Sequence, residues 1–163
     1  MSRADADPAL FRQLLGRFAT GVTVLTTRDQ HGRPVGMTAS SLASVSLQPP
    51  LVSVCVDVSA DMHRALAWSG DFVVNILRKD QELLSRRFAA NPAEGRFDTV
   101  PWRETADGLI ILEDVLAHIE CERFADFPLG DHTLFVGRVT GGATAEGDPL
   151  LYFRGGYGML VRP

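Results

Sequence analysis

The sequence predicts an antiparallel, mainly β fold: a barrel with peripheral helices. Six or seven strand-like runs, β-branched or continuously apolar, stand against only three helical ones. The helices do not alternate regularly with the strands, which argues against a doubly wound parallel sheet. The chain has 163 residues, the length of one domain, and 45% of them are hydrophobic and 22% charged. That composition can bury a core without disulfide or metal staples.

Taken in order, Pro8 to Ala19 reads as a helix, because Leu10, Phe11, Leu14, Leu15 and Phe18 form one apolar stripe behind an Asp7-Pro8 start. Residues 1–8 are expected to be a flexible tail. Val22 to Thr27 is β-branched and strand-like; Asp29 to Gly32 turns the chain, and Arg33 to Ala39 completes a hairpin. Ser41 to Gln48 reads as a loop of small residues, closed by Pro49-Pro50. Leu51 to Val58 is an apolar run suited to a strand buried on both faces. Ala60 to Trp68 reads as a short helix, Phe72 to Leu77 as a buried strand, and Asp80 to Ala90 as a helix with Leu83, Leu84, Arg87 and Phe88 on one face. Asn91 to Gly108 reads as a long irregular segment, a length that usually carries function or disorder. Ile110 to Phe124 is one long strand candidate, Asp126 to Asp131 a turn, and His132 to Val139 and Leu150 to Phe153 the last strands.

Composition removes several function classes. The formal charge is −4 and no Lys/Arg cluster occurs, so a nucleic-acid partner is not expected. No apolar run is long enough to span a membrane, and the N-terminus has no apolar signal core. Cys55 and Cys121 lie far apart in strand-like runs, outside any Cys-x-x-Cys pair. Both read as small buried residues of a reducing compartment, so the default location is the cytoplasm. The histidines lack metal-ligand spacing, so no metal is expected; His118 alternates with Glu120 and Glu122, which suggests a face toward solvent or a subunit. Neither a P-loop nor a Gly-x-Gly-x-x-Gly after a strand is present, so any nucleotide is held another way.

The most unusual segment is Thr38 to Ser46, with five hydroxyl residues and no charge between two apolar runs. Such hydroxyls need partners. They can cap their own loop, or they can form a neutral, donor-rich cradle for a polar ligand. Arg87 can form a surface pair with Glu82 or Asp80. His132 follows the turn Gly130-Asp131 and opens a strand, where an imidazole is either structural or aimed into a site mouth.

Six motifs occur in a recognisable order: Phe18-Ala19-Thr20-Gly21-Val22-Thr23-Val24-Leu25-Thr26, then Val35 to Leu51 with Thr38-Ala39-Ser40-Ser41 at its centre, Phe72 to Leu77, Ser85-Arg86-Arg87-Phe88, Gly130-Asp131-His132, and Leu151 to Tyr157. Over roughly residues 10 to 160 the chain resembles the short-chain flavin reductases. The resemblance implies an FMN-binding split β-barrel of antiparallel Greek-key type, one domain over 1–163, and a homodimer. It also implies an NAD(P)H:flavin oxidoreductase passing reduced flavin to a separate flavin-dependent monooxygenase, with FMN or FAD as flavin and NADH or NADPH as donor. Related readings are a split-barrel enzyme that retains its flavin and a non-catalytic flavin-binding module. Carried over by position, Thr38, Ala39, Ser40, Ser41, Leu42, Ala43 and Ser44 line the ring and ribityl groups, with Ser46 and Leu47 near the ribityl–phosphate end. Ser59, Asp61 and His63 form the next contacting segment, where the acidic Asp61 departs from the family's basic or hydroxyl residue. Arg87-Phe88 and Arg96-Phe97 match its basic-aromatic pairs. His132 meets the nicotinamide as the catalytic position, joined by Tyr157.

Overall fold

The computed structural model describes residues 4–162, so the first part of the expected N-terminal tail lies outside the described residues. The described residues hold three helices and twelve strands, in the order α1 (Pro8–Leu15), β1 (Thr20–Gly21), β2 (Thr23–Arg28), β3 (Pro34–Ala39), β4 (Ala43–Leu47), β5 (Pro50–Asp57), α2 (Asp61–Ser69), β6 (Asp71–Ile76), α3 (Glu82–Ala89), β7 (Trp102–Glu104), β8 (Ile110–Leu112), β9 (Ala117–Leu129), β10 (His132–Thr144), β11 (Leu150–Phe153) and β12 (Gly156–Met159). Seven strands form one antiparallel sheet in the order β3-β2-β6-β9-β10-β5-β4. Residues 40–42 connect its two outermost strands, β3 and β4, and β3 lies against β5 without a ladder between them. The sheet therefore curls into a barrel with an open seam. A small sheet, β1-β11-β12, and the hairpin β7-β8 sit beside it.

Two apolar clusters fill the molecule. One holds Leu25, Val54, Val56, Phe72, Val74, Cys121 and Phe135, with Met62 and Leu66 of α2 packed onto it. The other gathers Val22, Val24, Leu77, Leu112 and Leu150 around Phe88 of α3. Buried Asn75 fastens β8 to the sheet: its Nδ2 donates to the Val24 carbonyl and to Thr26 Oγ1, and its Oδ1 accepts from the Leu112 amide, each at 3.0 Å. A buried amide satisfied in this way fixes one arrangement of the strands around it.

Several sequence expectations are corrected. The first helix stops at Leu15 rather than Ala19, because the Gly16 carbonyl accepts from Arg154 and Thr20–Gly21 is drawn into pairing with β11. The expected loop at Ser41 to Gln48 contains edge strand β4, and the irregular stretch 91–108 contains β7. The long strand from Ile110 breaks into β8 and β9 at Asp114, whose φ of 58° ends the extended ladder. The turn expected over 126–131 shrinks to Gly130-Asp131, since β9 continues to Leu129. Pro128 is tolerated there because β9 has lost its β6 neighbour beyond Glu122, so its missing N–H breaks no second ladder. His118, expected to face solvent or a subunit, is buried at the floor of a shallow pocket beside β8, its Nε2 3.4 Å from Glu120 Oε1. Cys121 is buried as expected, whereas Cys55 is half-buried.

Candidate functional site

The segment Thr38 to Ser46 divides into parts with different duties. Thr38 ends its hydroxyl on the Ser85 carbonyl at 2.6 Å, tying β3 to α3. Ala39 is buried and its carbonyl accepts from Thr23 Oγ1. Ser41 lies opposite Cys55, on the line continued from the Ala43↔Ser53 pair of the β4–β5 ladder. Its hydroxyl accepts from the Cys55 amide at 3.0 Å and donates to the Cys55 carbonyl at 3.2 Å. A side chain thus does the pairing that backbone does elsewhere. Among the described residues the amides of Ser40, Ser41 and Leu42 donate no hydrogen bond, and the hydroxyls of Ser40, Ser44 and Ser46 have no partner. Three successive free N–H groups with free hydroxyls suit a ligand edge carrying carbonyls and ring nitrogens. That donor set fits a flavin. Ser46 and Leu47, expected near the ribityl–phosphate end, lie at the end of β4 remote from His132. Leu47 stands opposite Pro50, at the far end of β5 from Asp57. Since Asp57 pairs with His132, the separation along the strand is on the order of 20 Å.

A second cluster forms where β5 and β10 meet α2. Asp57 faces His132 across the ladder and accepts from both the amide and the hydroxyl of Ser59 at 2.7 Å. These bonds hold its carboxyl below the ordinary carboxylate range, helped by nearby His132 and His63. His63 Nε2 lies 2.8 Å from Thr133 Oγ1. His132 is half-exposed, with Nδ1 2.7 Å from Asp131 Oδ1. That carboxylate favours the proton on Nδ1 and leaves Nε2 directed away from it. The sequence singled out Ser59, His63 and His132 but missed Asp57 and Thr133, whose roles come from cross-strand pairing.

A third group surrounds α3. Ser85 Oγ lies 2.8 Å from the Tyr157 hydroxyl, and Arg86 stacks over the Tyr157 ring at 4.9 Å. Ser85 therefore links Thr38 to Tyr157; its place in the Ser85-Arg86-Arg87-Phe88 motif was the available signal. Of the two adjacent arginines, Arg86 makes the pair with Glu82. Arg87 instead braces the following loop through Thr99 Oγ1 and the Gly95 carbonyl. Arg96 spends its donors on the Ala90 and Gly36 carbonyls, and burial pulls its guanidinium below its ordinary value. Phe97 meets Phe88 edge-on, at 5.0 Å between centroids. Asp61 opens α2 and pairs with Arg64. Asp61, Arg96 and Phe97 line a cavity of about 550 Å³ between the β2–β3 turn, α2 and the loop 93–98; Thr38 to Ser46 and His132 lie outside it.

The model of the flavin reductase like domain matches residues 15–160. The chain belongs to that family. Its members' split-barrel architecture is the one described above. The flavin-reductase-like chain is 43% identical over 151 residues to a "Probable flavin reductase" of Rhizobium meliloti strain 1021, covering 93% of this chain but only 48% of that protein's length. It is 40% identical over 152 residues to the reductase subunit of a flavin-dependent monooxygenase of Rhodococcus jostii strain RHA1, covering 93% of this chain and 77% of that one. The NADH:FAD oxidoreductase of Streptomyces globisporus, solved in complex with NAD and FAD fragments, superposes with a TM-score of 0.89 at 35% identity over 98% of each chain.

Proposed function

We infer that this flavin-reductase-like chain is an NAD(P)H-dependent flavin reductase using FMN or FAD, with NADH as the better-supported donor. The observation that carries the reading is the free donor set at Ser40 to Leu42, released for a ligand because Ser41 pairs with β5 through its side chain. A bound flavin supplies the chemistry, accepting hydride from the nicotinamide. The amides of Ser40, Ser41 and Leu42 offer fixed dipoles where negative charge develops, with no reorganisation at the moment of reaction. His132 and Tyr157 orient the donor, His132 through its free Nε2. Asp57, with Ser59 and His63, holds the charge pattern around that imidazole. The hydride step needs no side-chain acid or base.

The finer partner reading is a separate flavin-dependent monooxygenase that receives the reduced flavin by diffusion. A homodimer is supported by α1, none of whose residues is buried: Leu10, Phe11, Leu14 and Leu15 are all exposed, as is Phe18 just beyond the helix. Phe127 and Leu129 on the β9–β10 hairpin are exposed as well. So much apolar area on a free monomer is uncommon. Light scattering should give about twice the 17.8 kDa chain mass. A cytoplasmic setting suits two cysteines that form no disulfide. Among the described residues no helix is long and apolar enough to cross a membrane. The reading of 1–163 as one domain is supported by two core clusters that share the β2 strand.

The deciding experiment is NADH oxidation by purified protein with and without added free flavin. A rate that rises with added FMN or FAD supports the reading. A coloured protein indifferent to free flavin points to a retained cofactor, and no oxidation in either condition overturns the reductase assignment.

A further inference from the structure

Ser85 stands in the middle of α3 and is fully buried. A serine in a helix interior usually points to solvent or bonds back to the carbonyl four residues earlier. Here the Gln81 carbonyl accepts from the Ser85 amide, while the Ser85 hydroxyl crosses to the Tyr157 hydroxyl of β12 at 2.8 Å. The carbonyl of the same residue accepts from Thr38 Oγ1 at 2.6 Å. Ser85 thus holds the start of the hydroxyl-rich segment through its backbone and Tyr157 through its side chain.

The backbone around Tyr157 does little to fix its ring. β12 is the edge strand of its small sheet, and glycines flank the tyrosine at 156 and 158. The ring's place is set by side chains instead. Arg86 covers one face at 4.9 Å, and Tyr152, opposite it in the β11–β12 ladder, meets it edge to face at 5.3 Å. Arg86 is itself held by Glu82, one turn earlier in α3. Ser85 supplies the hydrogen bond that ends this set, and the ring it holds stays half-buried, open to a ligand on its remaining side. A ring already fixed loses less freedom when a ligand settles against it. We propose that Ser85 is a positioning residue for hydride transfer: its hydroxyl holds the Tyr157 ring for the nicotinamide, in register with the flavin segment that its carbonyl anchors. The proposal rests on the flavin-reductase reading, in which Tyr157 meets the donor. Ser85 acts only through Tyr157 and Thr38. A bond that merely fastened α3 to β12 would lower stability when cut and leave the kinetics of the folded protein alone.

Steady-state NADH oxidation at saturating FMN, with melting temperatures and FMN titrations, tests it on wild type, Ser85→Ala, Tyr157→Phe, their double variant and Tyr157→Ala. Ser85→Ala and Tyr157→Phe cut the same bond from opposite ends, and Tyr157→Phe keeps the ring. Each should raise the KM for NADH about five- to tenfold while kcat changes by less than about twofold. Ser85→Ala should leave the FMN dissociation constant as in wild type, because the Thr38 bond ends on its backbone carbonyl. The double variant should be no worse than either single one, since one interaction is lost in all three. The positioning role is overturned if Ser85→Ala lowers the melting temperature with an unchanged KM, or if the two single effects multiply in the double variant. A raised KM in Tyr157→Ala beside an unchanged one in Ser85→Ala keeps Tyr157 at the donor site and removes Ser85. An unchanged KM in Tyr157→Ala removes Tyr157 from the donor site and overturns the proposal with it. Wild type that oxidises no NADH overturns the reductase reading and the proposal together.

Discussion

The Ser41 hydroxyl makes both hydrogen bonds to Cys55 that a strand backbone would make, accepting from its amide at 3.0 Å and donating to its carbonyl at 3.2 Å. The β4–β5 ladder is extended by one side chain, and the Ser41 amide stays free. In the proposed site, stability and flavin binding would meet at this residue. Ser41→Ala leaves both Cys55 groups without partners and should cost about 1–3 kcal/mol in urea unfolding. Ser40→Ala, whose hydroxyl has no partner, should change stability by no more than about 0.5 kcal/mol. Equal unfolding midpoints for the two variants would contradict this account.

Gly36 is required by close approach and not by its backbone angles. A Cβ there would stand 2.6 Å from Phe88 Cδ1 and 3.0 Å from Phe97 Cζ. Phe88 is fully buried and has nowhere to move. Gly36→Ala is expected to destabilise by about 1–3 kcal/mol through overpacking. Because the same carbonyl accepts from Arg96, a lowered melting temperature should be accompanied by faster proteolysis in the loop 91–98.

His132→Ala should raise the KM for NADH about tenfold, the worth of one net hydrogen bond at roughly 1.4 kcal/mol. The dissociation constant for flavin should stay unchanged, since the free amides are on the other side of β5. Unaltered NADH kinetics would remove His132 from the donor site.

Burial pushes the Cys121 thiol from its ordinary 9.0 to about 12, with Glu120 adding to the shift. The folded state therefore resists thiolate formation. Its stability is unaffected by this group below about pH 9 and declines as pH rises from 9 toward 12, where only the unfolded chain releases the proton. Iodoacetamide at pH 8 should alkylate half-buried Cys55 well before Cys121. The loss of stability between pH 9 and 11 should be smaller in Cys121→Ala than in wild type; an identical loss would show that this thiol does not titrate differently on unfolding.

What the sequence determined by itself was the mainly β class, the strand cores and the position of an uncharged, hydroxyl-rich segment between them. These are local signals: β-branched runs, turn residues, and hydroxyls crowded without charge between apolar strands. Strand ends were less legible, because pairing decided them. Pro128 can sit in β9 only because β6 has already ended, and the first helix yields at Gly16 only because β11 captures Thr20. The site divided in the same way. Ser41 was legible as a polar residue, but its bond to Cys55 depends on the register of β4 against β5. Asp57 reaches His132 across 75 residues of sequence, and the cavity that Trp68 lines is walled by three separate segments. Side-chain chemistry is written residue by residue, whereas register, closure and the walls of a cavity arise only when distant segments pack.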